Sequence, residues 1–276
     1  VIQLLKIEWL KIKNYAAFIV LSLFFLLGIL ASNYMVFYTK KNMIDKADPT
    51  GMIASASPYD FAHTWQTTSY VSGFLLLLPG LLLILLLTNE FAFRTHRQNI
   101  LDGWSRQNFI DVKIMMAFIT AIVSTLLVVI TALLFGVASG SSFSTEGIEN
   151  VAYFFLKALS YNMIALLIGV LVRKTGFAIG LFFIYLGVEN IISALLYGLS
   201  IKFKAEYNFD IGNMGDYLPM NASDGLLHFP KNAITDMANN SKNMPHDYKY
   251  VSLSLALGYL LLFYWWVRNR IIKTDL

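Results

Sequence analysis

The sequence contains no cysteine, so disulfides and thiolate-ligated metal sites are excluded. Charge is scarce too: Asp, Glu, Lys and Arg make up 14% of the 276 residues, against 57% hydrophobic. With a mean hydropathy of +0.59, this composition belongs to a membrane protein and leaves no room for a soluble domain. A G-x-x-x-x-G-K-[ST] phosphate loop is absent. Without that nest of backbone amides and its lysine, the chain is not expected to hydrolyse ATP or to act as an enzyme. His63, His96, His228 and His246 are widely separated, and no HExxH pair or nucleophile elbow occurs, so no metal site and no cofactor are expected in this chain.

What the chain does have is long apolar runs. A helix needs roughly 20 apolar residues to cross about 30 Å of hydrocarbon. Six stretches qualify: Tyr15–Val36, Tyr70–Thr88, Ile114–Val137, Val151–Val172, Gly176–Leu199 and Tyr250–Val267. They are apolar on all sides, unlike the alternating segments of a β-barrel. The expected fold is an all-α membrane protein, one domain over residues 1–276. The first run is too long for a signal-peptide core and reads as a retained span. Pro79-Gly80 is expected to kink the second span. Gly176-x-x-x-Gly180 offers a close approach to another helix.

Orientation follows from the basic residues. With six spans, both termini and the even-numbered loops share one side, which carries 12 Lys and Arg against 5 acids. The other side carries 8 Lys against 11 acids. Arg94, Arg97, Arg106, Arg173, Arg268 and Arg270 all fall on the first side, which the positive-inside rule makes cytoplasmic. This topology accounts for the basic excess, so no nucleic-acid partner is expected. Tyr34, Tyr38, Trp65, Tyr70, Tyr197 and Tyr248 read as an outer aromatic belt, and Trp265 and Trp266 as an inner one.

Three segments lie outside the spans. Residues 1–14 place Leu5, Trp9 and Ile12 on one helical face, with Lys6 and Lys13 away from it, and read as an amphipathic helix in the headgroup layer. Residues 89–113 (NEFAFRTHRQNILDGWSRQNFIDVK) contain no helix breaker from Glu90 to Leu101, so the second span is expected to continue past the membrane. Asp102-Gly103 then stops it, and Ser105 caps the helix entering the third span. The hairpin so formed would expose Phe91, Phe93, Ile100, Leu101 and Trp104, which suits a docking surface. The outer segments Phe37–Ser69 and Ile201–Lys249 are polar and are expected to form short helices and turns at the outer face.

This pattern resembles the permease subunits of ABC-2 type ATP-binding-cassette transporters, with a type V exporter-like architecture, over nearly the whole chain. The local match is Glu90, Arg94-Thr95, Ile100-Leu101, Ser105-Arg106 and Lys113. In the family an acidic residue leaves span 2, and a Thr, an apolar pair, a Ser/Arg turn and a Lys follow. A Gly usually precedes the Thr, where this chain has Arg94. The resemblance implies that residues 89–113 form the hairpin that couples to an ATPase, through Glu90, Arg94, Thr95, Arg97, Ile100, Leu101, Trp104, Ser105 and Arg106. It also implies two ATPase subunits, which bind the ATP and Mg, and a second permease, the same or different. It implies export of a substrate across the membrane, and the composition with its lack of cysteine suits a bacterial inner membrane.

Lys157 and Glu189 are the two charges inside spans. Such charges usually face a bundle interior or water. With Asn190, Asn162, Tyr161 and Ser193 they are candidates for a substrate route; a structural Lys157–Glu189 link is the plainer reading. Two other classes stay open. One is an ABC machine that transmits force to an extracytoplasmic or membrane partner docked on residues 201–249. The other is a secondary transporter using Glu189.

Overall fold

The computed structural model describes residues 2–39, 59–101, 103–230 and 244–273; their regular structure is all helical, with no strand among them. In chain order the helices are α1 (Ile2–Ile12), α2 (Ala16–Thr39), α3 (Phe61–Gly73), α4 (Leu77–Ala92), α5 (Thr95–Leu101), α6 (Arg106–Ala138), α7 (Glu149–Val172), α8 (Thr175–Tyr207), α9 (Asn221–Asp224) and α10 (Lys249–Lys273). Six are long and apolar enough to cross a membrane: α2, α3 with α4 as one rod, α6, α7, α8 and α10. Much of the outer segment expected after Phe37, and residues 231–243 of the later one, lie outside the described residues.

The bundle is built around α7, the most buried span, which packs against α3, α4, α6, α8 and α10. Lipid is as apolar as leucine, so close packing and polar contacts hold such helices together. Small residues provide the closeness. A Cβ on Gly169 would stand 3.0 Å from Leu87, and one on Gly80 would stand 3.0 Å from Phe182. Polar groups pin the pairs: Asn162 donates to the Ala117 carbonyl at 3.0 Å, and Asn33 donates to Ser72 at 3.2 Å. By contrast, α8 is nearly all surface, and Gly176 and Gly180 meet nothing within 4 Å. Among the described residues the GxxxG pair makes no close approach.

The second span departs from its expected limits. It begins at Phe61, nine residues before Tyr70, because Thr64, Trp65, Thr67, Thr68 and Ser69 are buried against neighbouring helices. Their polar groups lower the hydropathy without facing lipid; Thr64, for example, donates to the Tyr59 carbonyl at 2.7 Å. Trp65 is accordingly no belt residue: it is buried and donates to the Ser144 carbonyl at 2.9 Å. The rod is interrupted by a 3-10 turn at Phe74–Leu76. That is one turn before Pro79, whose missing N–H and bulky ring act on the carbonyl four residues back.

Contacts gather one set of ends. Arg106 at the head of α6 donates to the Ile272 carbonyl of α10 at 3.4 Å, and Arg173 of the α7–α8 link lies 5.2 Å from the Phe91 ring centre. Asn89 at the end of α4 donates to the Tyr15 hydroxyl at 2.7 Å, beside the start of α2. This basic end also receives α1.

Candidate functional site

At the basic end, α1, α4 and α6 each contribute charge to one buried cluster. The ammonium of Lys113 sits 2.5 Å from Glu8 Oε2 and 2.8 Å from Glu90 Oε1. Lys11 lies 2.9 Å from Glu8 Oε1 and 3.4 Å from Glu90 Oε1. Asn99 of α5 approaches the same ammonium at 3.5 Å, and the Trp104 ring centre stands 5.6 Å from it. Glu8, Glu90 and Lys113 are all at least nine-tenths buried. Two carboxylates and two ammonium groups leave the cluster neutral, which such burial requires. Glu90 Oε2 has no hydrogen-bond partner among the described residues.

Burial alone would push the Glu8 carboxyl up. The ammonium groups of Lys113 and Lys11 outweigh it and hold Glu8 below its ordinary value of 4.5. Burial likewise pulls Lys11 down, but Glu90 and Glu8 hold it above 10.5. The Glu8 contribution to docking α1 is therefore present above that ordinary carboxyl value and is lost as pH falls through the lowered one. The Lys11 contribution is present below 10.5 and is lost as pH rises through the raised one.

The cluster anchors a helical hairpin. The expected continuous helix from Glu90 to Leu101 is broken at Arg94, which takes φ +57°. An L-residue enters that left-handed region at a cost of roughly 1–2 kcal/mol. The break frees the Glu90 carbonyl, which His96 Nδ1 meets at 3.0 Å and Thr95 meets at 3.5 Å. A carbonyl only accepts, so His96 carries its proton on Nδ1. After α5 the chain turns at Gly103, with φ +98°, and Ser105 caps α6 by accepting the Asn108 amide at 3.0 Å. Asp102 lies outside the described residues.

The hairpin exposes less apolar surface than its sequence suggests. Phe93 and Leu101 are 76% and 87% exposed. Ile100 and Trp104 are half-buried, and Phe91 is buried against His96 and Phe109. Arg94 and Arg97 are exposed beside Phe93, so the free face is basic and apolar. Glu8 and Lys11 are the partners that sequence reasoning missed. The available signal was an acid inside the apolar stripe Leu5–Trp9–Ile12, which an interfacial helix does not otherwise tolerate.

No family model matches the sequence, and no curated protein is similar to it.

The other charged candidates do not converge. Lys157 pairs with Asp224 at 3.2 Å, and Tyr161 donates to the same carboxylate at 3.0 Å. Glu189 Oε1 accepts the backbone amides of Met220 at 2.5 Å and Asn221 at 2.9 Å. Asn162 is committed to α6, and Asn190 is exposed and bonded to its own helix at Leu186. Among the described residues Lys157 and Glu189 make no ion pair with each other, and the Met220–Asp224 segment meets both. Nor does this polar segment stay at the end of the bundle. Met214 bonds Ser200, Gly215 lies against Ser193, and Met220 reaches Glu189, so the chain descends along α8. Irregular backbone at such depth is tolerated when protein surrounds it; here a carboxylate and the walls of α7, α8 and α10 do so.

Within this descending segment, outside the six spans, Asp216 is pushed up to about 6, by burial first and then by the charges of Asp247 and Asp224. Such a group favours the folded segment when protonated, so stability falls as pH rises through that value. The melting temperature is expected to be higher at pH 5 than at pH 7.5, with Asp216→Asn flattening the difference; an unchanged slope in that variant would exclude Asp216 as the source. At the basic end, Lys113→Met is expected to cost about 3–5 kcal/mol, because it leaves two buried carboxylates to share the one ammonium of Lys11. Adding Glu8→Met should then cost less than the two losses summed. Strict additivity in thermal unfolding would show that the pair is not coupled.

Proposed function

We propose that this chain is the membrane-spanning permease of an ABC-2 type transporter, with both termini cytoplasmic, driven by ATPase subunits that grip the hairpin between α4 and α6. One observation carries the reading: a hairpin with a basic and apolar free face, bolted by a buried, neutral charge cluster to α1 and α6. A docking element needs a free face outward and a rigid anchor inward, so that a push is transmitted and not absorbed. The family's usual glycine before the Thr of this stretch also suits the backbone, since Arg94 occupies a positive φ. On this reading the six spans and the basic end on the cytoplasmic side follow the positive-inside rule. ATP and Mg bind the partner, and differential nucleotide affinity tilts the bundle between two states. The working unit has two permeases and two ATPases, and it exports its substrate across a bacterial inner membrane.

The test is affinity capture of the full chain from its native membrane. A Walker-type ATPase is expected to copurify, and to be lost from Leu101→Asp or Phe93→Asp, whose side chains are largely exposed. Vesicle transport should fall with it. Full transport by a chain that captures no ATPase, or undiminished capture by both variants, would refute the proposal.

A further inference from the structure

One side of the bundle is incompletely filled. A groove with a cavity volume of about 600 Å³ opens between α2 and α6, floored by α4 at Pro79 and capped at the basic end by α1. That is the size of a small-molecule site, roughly 300–1,000 Å³. From Met116 to Leu127 its α6 wall rises roughly 16 Å, about half the thickness of a hydrocarbon core.

The lining states what fits. Phe25, Leu82, Val123 and Leu127 are apolar. The hydroxyls on the α6 wall are already spent, Thr120 on the Met116 carbonyl at 2.7 Å and Ser124 on the Thr120 carbonyl at 2.8 Å. A water would find too few partners in such a space, and an empty one forfeits its dispersion contacts. Around the opening, Leu23, Ile119 and Ile122 are exposed apolar side chains on spans, so the groove opens sideways into lipid. Its mouth is cationic. Glu8, the acid in the lining, is neutralised by Lys113 and Lys11. Lys6 at the rim is exposed and has no acidic partner among the described residues.

We infer that the groove holds one anionic phospholipid, with an acyl chain between α2 and α6 and its phosphate at Lys6. The lipid fills the space beneath α1 and completes the seat of that helix. This inference depends only on the chain residing in a bilayer, not on the identity of any ATPase.

The experiment uses the full chain reconstituted into vesicles of phosphatidylcholine and phosphatidylglycerol in equal amounts, followed by native mass spectrometry after mild extraction. One phosphatidylglycerol per chain is expected to survive, favoured over phosphatidylcholine by about five-fold, as one lysine at an anionic surface supports. Lys6→Gln should bring the two lipids to parity. Ser124→Phe should fill the groove and displace the lipid, and Thr120→Leu serves the same end if that variant does not fold. No retained lipid, equal retention of both lipids with Lys6 intact, or retention undiminished by filling the groove would overturn the inference.

Discussion

A lysine ammonium buried at the head of a membrane-spanning helix is tolerable only where carboxylates meet it. Lys113 is met from two sides, by Glu8 of α1 and Glu90 of α4. Lys11 then neutralises what remains of the negative charge. The position of everything else at the basic end follows. If α1 leaves, Lys113 loses its closer carboxylate and keeps Glu90 alone. α4 must stop where Glu90 is in reach. α5 is held near Lys11 by Asn99, with the Trp104 ring close by. The hairpin is thus one body with α1 and α6.

The opposite half of the molecule uses the same logic with different parts. Glu189, buried in α8, has no ion-pair partner among the described residues, and the backbone amides of Met220 and Asn221 donate to it where ammonium groups serve at the basic end. Supplying those amides brings the 213–230 segment down between helices, where Asp224 then meets Lys157. Both ends of the bundle are therefore closed by a non-spanning segment drawn in by a buried charge. Between them lies an apolar bundle centred on α7, whose packing needs no charge at all.

Much of this was legible in the sequence. Six spans, the helix over residues 2–12 and the Ser105 cap can be read from hydropathy and turn chemistry, since each depends on residues close in sequence. The break at Arg94 was not legible, because no glycine or proline marks it; His96 and Thr95 stabilise it by reaching back to the Glu90 carbonyl. The extension of the second span to Phe61 was hidden by threonines and serines whose hydroxyls face protein. The charge cluster was half visible: Glu90 and Lys113 stood out in the hairpin, but Glu8 is 105 residues from Lys113, and only the fold brings them together. The candidates Lys157, Glu189, Asn162 and Asn190 share a class of residue but not a place, because helical phase sends Asn190 outward while Glu189 points in.

Amide hydrogen exchange of the chain in lipid nanodiscs, compared with its Lys113→Met variant, addresses the anchoring of the hairpin most directly. If the buried cluster holds these parts as one body, the amides of α1 and of α5 lose protection together in the variant while those of α7 keep theirs. Unchanged protection of α1, or loss confined to α6 itself, would contradict it.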